Sequence, residues 1–201
     1  MEKETARIEA FSDGVFAIAI TLLILEVKIP PPGSGDLTAQ LLKQWPSYVS
    51  FVISFAFIGI MWINHHRLFS HIKRSDNTLM LLNLLLLLGV CVVPYPTAVL
   101  AQHLGSDGQK PAALLYQGTY FVIAIFFNLL WGHVNKKELG DKNNETAGKI
   151  SAQYAVGPLS YLACLLLVWI SVPASLALNV VLAIFYALPP QRASAVIGRR
   201  D

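Results

Sequence analysis

Hydrophobic positions along this chain gather into long blocks broken by short polar intervals. Crossing a hydrocarbon core of about 30 Å takes roughly 20 helical residues at 1.5 Å each. On that measure the pattern predicts six membrane-spanning helices, near residues 8–27, 47–69, 78–100, 112–133, 155–172 and 175–188. The last two blocks meet at Pro173 with almost no polar residue between them, and a tight hairpin fits their combined length better than one long helix. No internal repeat and no soluble domain interrupts the pattern, so residues 1–201 read as a single six-helix transmembrane domain.

Composition agrees. With 55% hydrophobic residues, 13% charged residues and a mean hydropathy of +0.55 over 201 residues, the chain is too apolar for an ordinary soluble domain and too long for one anchor. Lys and Arg collect in short cytoplasmic loops. Here Lys3, Arg7, Arg67, Lys73, Arg74, Lys136, Lys137, Lys142, Lys149, Arg192, Arg199 and Arg200 fall on one side of the predicted topology. Only Lys28, Lys43 and Lys110 fall on the other, which places both termini in the cytoplasm. The net charge of +3 follows from this asymmetry and implies no nucleic-acid partner. The first block is too long for a cleaved signal peptide and lacks a small-residue cleavage site before Pro30-Pro31-Pro32. Cys91 and Cys164 lie inside predicted spans as small packing residues and imply no disulfide. Asn144-Glu145-Thr146 fits a glycosylation acceptor, but on the cytoplasmic side.

Within this apolar chain the first block carries a carboxylate, Asp13. An ionisable residue inside a membrane costs about 2.5–3.5 kcal/mol at the helix centre and calls for a partner. At 100° per residue, Phe11, Ile18, Leu22 and Leu25 share one stripe with Thr21 on its flank, and Asp13 lies about 140° from Ile18. One helix thus presents an aliphatic face and a polar corner aimed at neighbouring helices. Periodicity alone leaves the stripe open to lipid contact, packing or a pore, and leaves Asp13 open to a capping role.

The arrangement Arg7-x-x-x-Phe11-Ser12-Asp13, followed by an aliphatic helix, resembles the signature of the endolysosomal potassium channel family known as transmembrane protein 175, in its prokaryotic branch. The resemblance implies a homotetramer of one chain with three further copies of itself, with helix 1 lining a central pore through the lipid bilayer. Ile18, Leu22 and Leu25 would form the constriction, with the Thr21 hydroxyl beside its narrowest part. A ring of isoleucines closes a pathway by dewetting. The Thr-Val-Gly-Tyr-Gly filter is absent from the chain, so potassium preference rests on the resemblance. The implied function is passive, potassium-selective cation conduction in a prokaryotic plasma membrane, with K+ as permeating ion and no cofactor. The alternative is a proton- or cation-coupled carrier using Asp13, against which stands the lack of an inverted repeat. An enzyme is not expected, because no nucleophile-and-base pair or phosphate loop is present.

Descending from outside, the second helix brings Trp62, Asn64 and His65 to the depth of Arg7 to Asp13, and the resemblance implies that they surround the Ser-Asp pair. Trp62 would donate its indole proton and pack Phe11; Asn64 and His65 would hydrogen-bond the carboxylate. His65 and His66 point about 100° apart and no metal site is expected from them. His71 and His133 are expected in solvated roles. Arg7 extrapolates onto the stripe of Ile18, where it would repel cations, so we expect it to turn toward Glu4 or Asp13. Pro94 and Pro96 are expected to kink or end the third span, and Glu26 to attract cations at the outer mouth.

Overall fold

The structure is a computed structural model that describes residues 5–33, 35–137, 151 and 154–188. The Asn144 acceptor, Glu4 and the basic tail residues Arg192, Arg199 and Arg200 lie outside the described residues.

Every regular element among the described residues is helical. The first, α1 (Ala6–Leu22), continues into a 3-10 turn at Leu23–Glu26. A short helix that the hydrophobic pattern does not predict, α2 (Leu37–Lys43), follows, started by the Asp36 side chain accepting from Thr38 N at 3.0 Å. Next come α3 (Trp45–His71), α4 (Asn77–Val92), α5 (Pro94–His103) and α6 (Gln109–Lys136). A final hairpin pairs α7 (Gly157–Leu167) with α8 (Val172–Ala187).

Proline marks where helices begin. It stands in the first turn of α3, α5, α7 and α8, where its missing N–H would have no partner anyway. Pro94 follows Val93, whose backbone is still helical, so α4 and α5 form one kinked span, and Thr97 Oγ1 donates to the Val93 carbonyl at 2.8 Å beside the break. The turn after α5 uses Gly105 at φ +82, a left-handed conformation that a Cβ would strain.

Four helical stretches are long and apolar enough to cross a membrane: Ala6–Glu26, Trp45–His71, Asn77–His103 and Gln109–Lys136. The described parts of α7 and α8 are shorter, about 16 and 24 Å at 1.5 Å per residue. Ser171 between them caps α8 by accepting from Ala174 N at 3.3 Å, so the hairpin turns just ahead of Pro173.

At the centre is α6, packed against α4, α5 and α7. A Cβ at Gly89 would come within 2.7 Å of Ile123 Cγ1, so glycine is what lets α4 and α6 approach. The hairpin is fastened through its polar groups. Gln117 Nε2 donates to Ser175 Oγ at 2.9 Å, and Asn179 Nδ2 donates to Gln117 Oε1 at 2.7 Å. Arg67 of α3 donates to the Ala187 and Leu188 carbonyls, closing the C-terminus of α8. By contrast α1 lies at the edge on α3 and α4, and is the least buried of the four long spans.

Candidate functional site: the two faces of the first helix

Ser12, Phe16, Ala19 and Leu23 repeat at helical spacing and are all buried, on a helix packed against α3 and α4 whose 3-10 end lies on α3 and α5. Successive residues step 100° around the axis, so Ser12 enters the interior while Asp13 stays at the margin, exposed. Of the two, then, Ser12 rather than the carboxylate fills the polar corner.

Ser12 Oγ donates to the Ile8 carbonyl at 2.8 Å and accepts from Asn83 Nδ2 of α4 at 3.0 Å. Asn83 Oδ1 lies 2.9 Å from His65 Nε2. Since that oxygen can only accept, the imidazole carries its proton on Nε2. His65 is 1% exposed, held between Phe16, with centroids at 5.4 Å, and Phe69, at 4.4 Å. One chain of hydrogen bonds therefore fixes α1, α3 and α4 in rotation relative to one another.

Asp13 takes a different partner. Trp62 Nε1 donates to Asp13 Oδ1 at 2.8 Å on the exposed side, and the indole stacks on His66, with centroids at 6.2 Å, rather than on Phe11. The expectation that Asn64 and His65 bond this carboxylate is corrected. Asn64 Nδ2 donates instead to the Tyr186 carbonyl at 3.1 Å, a quarter turn away on α3, and His65 is spent on Asn83. Asn83 was missed by sequence reasoning. Its signal was there: an amide inside Leu79-Met80-Leu81-Leu82-Asn83-Leu84-Leu85 is as conspicuous as a carboxylate in α1.

On the opposite face of α1, Phe11, Ile18, Leu22 and Leu25 are exposed by 57, 62, 42 and 63%, with Arg7, Ala17 and Thr21 exposed among them. Leu25 reaches this face from the 3-10 turn. Thr21 Oγ1 lies 2.9 Å from the Ile18 carbonyl and 3.0 Å from that of Ala17, so its proton is returned to its own helix and only its lone pairs face outward. Arg7 forms no ion pair with Asp13 among the described residues. Glu26 lies 3.6 Å from Lys28 Nζ, which lowers its value as an isolated attractor of cations. His133 is no solvated bystander: its Nε2 lies 3.0 and 2.9 Å from the two carboxylate oxygens of Asp76.

Residues 7–94 match the family described as "Endosomal/lysosomal potassium channel TMEM175". A potassium channel of Chamaesiphon minutus is 47% identical over 193 residues, covering 93% of this chain and 95% of the relative. The chain belongs to the TMEM175 family. A potassium channel of Streptomyces collinus is 45% identical over 188 residues, covering 91% of each chain. Among solved structures, that of a lysosomal potassium-selective TMEM175 homologue from Chamaesiphon minutus superimposes with a TM-score of 0.84 at 46% identity, covering 93% of this chain and 98% of the other. The fold is thus an all-α membrane fold of the TMEM175 kind, and both the buried junction and the exposed stripe of α1 fall within the family-matched residues.

Proposed function

We propose that this chain is a potassium-selective cation channel that conducts passively through a central pore formed by four copies, each crossing the plasma membrane of a prokaryote six times with both termini in the cytoplasm. The observation that carries this reading is the exposed stripe of Ile18, Leu22 and Leu25 on the least buried long helix of a chain similar, nearly end to end, to proteins named potassium channels. Four copies around an axis make a wet passage from a single helix face, which a chain with so few polar groups in its spans would not line alone.

In this reading Ile18 and Leu22, one turn or about 6 Å apart along α1, form successive apolar rings, with Leu25 toward the outer end. Such rings hold a cation back until the passage is wide enough to stay wet, and selectivity follows from the tight fit rather than from a carbonyl cage. The Ser12–Asn83–His65 junction positions the rings, because a rotation of α1 by one residue would break it.

The test is cation flux from liposomes holding the purified protein under potassium and sodium gradients, with Ile18→Asn alongside. Fast flux favouring potassium, made leakier or less selective by the substitution, is expected. Slow, saturable flux indifferent to Ile18 would replace the channel by a carrier.

A further inference from the structure

Between α1 and α3 the chain runs through Pro30-Pro31-Pro32 and two left-handed glycines, Gly33 and Gly35, into the seven residues of α2, none of which is buried. At 100° per residue Leu37, Leu41 and Leu42 share an arc of about 140° with Thr38 between them, and Gln40 and Lys43 stand on the opposite side. The three leucines are 57, 41 and 70% exposed, so the chain leaves this apolar arc uncovered. The apolar surface does not end with α2. Trp45, Tyr48, Val52 and Phe55 follow at steps of three, four and three, which puts them on one face of α3, and all four are exposed as well.

The level of α2 in a membrane follows from α3. Arg67 donates to the carbonyls that end α8, and a guanidinium at the ends of two helices marks one edge of the hydrocarbon. Trp45 stands 22 residues earlier on the same helix, about 33 Å at 1.5 Å per residue, or about 31 Å for a helix tilted by about 20°. With a hydrocarbon core of about 30 Å, Trp45 and Tyr48 fall at the other edge, where amphipathic rings collect. Gln44 alone separates the two helices, as the last cap of α2 and the first of α3. It therefore holds α2 at that boundary.

We propose that α2 is an interfacial anchor whose partner is the lipid surface: Leu37, Leu41 and Leu42 rest where headgroups meet acyl chains, and Lys43 on the opposite side reaches the phosphate layer. Water is a poor neighbour for three leucines that lead into an exposed tryptophan. The arc passes at Leu41 and Leu42 into Trp45 and Tyr48, and so into a strip of α3 that lies at the depth of the hydrocarbon. An apolar arc at headgroup level with the one charge of the helix on its far side is the pattern of a helix resting on lipid. In the topology proposed above this surface is the outer leaflet, but the interfacial position itself does not rest on that reading.

Spin labelling of the full chain in phospholipid liposomes tests the anchor. In a Cys91→Ala background, where the buried Cys164 is out of reach of the reagent, a nitroxide is attached at Leu42→Cys and, separately, at Lys43→Cys. Its relaxation is then measured with oxygen, which concentrates in lipid, and with a nickel chelate confined to water. The oxygen-to-nickel accessibility ratio is expected to be several-fold higher for the label at Leu42 than for that at Lys43, with the former about 5–10 Å below the phosphates. Leu37→Cys, on the same arc, takes the place of Leu42→Cys where that variant fails to fold. Equal ratios at the two positions would leave α2 in water. A label at Leu42 shielded from both reagents would put another copy of the chain over the arc, and either result overturns the proposal.

Discussion

Ser12, Phe16, Ala19 and Leu23 on one side of α1 are buried within the chain, whereas Phe11, Ile18, Leu22 and Leu25 on the other are exposed. Both sets are largely apolar and both repeat at helical spacing, so hydrophobicity does not separate them. What separates them is where their polar groups find partners, in neighbouring helices deep in the chain on one side and within α1 or at its exposed margin on the other. Ser12, on the buried side, is locked to Asn83 and through it to His65, while the exposed side carries Arg7 and Thr21 and is flanked by Asp13, which accepts from the half-exposed Trp62. In hydrocarbon such groups are costly, so a face bearing them is poorly suited to lipid even when its neighbours are leucines. The two sides of one helix therefore serve two different requirements, fixing the chain and meeting something beyond it.

Phe16→Ala breaks the comparison most severely. Removing a ring that is 2% exposed and packed on His65 should destabilise the protein by about 3 kcal/mol, seen as a lower thermal unfolding midpoint in detergent. Asn83→Leu comes next, because it preserves shape but strands the Nε2 proton of His65. A loss of about 1–3 kcal/mol is expected, accompanied by altered flux as α1 loses its rotational lock. If Asn83→Leu left both unfolding and selectivity unchanged, the junction would have no positioning role. Trp62→Phe removes one exposed hydrogen bond to Asp13 and should cost about 1 kcal/mol or less. Ile18→Ala, on the exposed side, should shift unfolding by less than about 0.5 kcal/mol while changing the potassium-to-sodium flux ratio, which separates the two sides by experiment.

A fifth and smaller effect is set by pH at the end of α4. The Leu79 N–H beside Asp76, and then His133, hold the Asp76 carboxyl below its ordinary value of 3.8. A carboxyl depressed in the folded state contributes stability that is present above its unfolded value and is lost as pH falls through the folded one. Thermal unfolding of Asp76→Asn should thus differ from that of the parent at neutral pH and converge with it below about pH 3.8. A constant gap across that range would show that the carboxylate's charge contributes nothing.

Some of this architecture was legible beforehand for simple reasons. Membrane crossing demands long apolar blocks, and a 3.6-residue period places Phe11, Ile18, Leu22 and Leu25 on one face whatever the surroundings. Pro94 and Pro96 announced a kink because proline has no N–H to give. The partners were not legible. Trp62, Asn64 and His65 were all placed around the Ser12–Asp13 pair, with the residue that touches the carboxylate left open; that contact belongs to Trp62, while His65, on nearly the same face, turns to Asn83, and Asn64, about 160° from Trp62, bonds the Tyr186 carbonyl. Asp76 and His133 stand 57 residues apart, and nothing local links them.

By itself the sequence determined which stretches are apolar enough to leave water, where proline opens a helix, and which residues share a face, since all three depend on the chain's own composition and backbone geometry. Only the tertiary structure decided which face of α1 turns inward, that Asn83 is the partner of both Ser12 and His65, and that α3, α6, α7 and α8 enclose an apolar cleft. Those outcomes depend on the relative rotation and crossing of helices distant in sequence. They are fixed by the close approach at Gly89 and by a few directional hydrogen bonds, and no single segment encodes either.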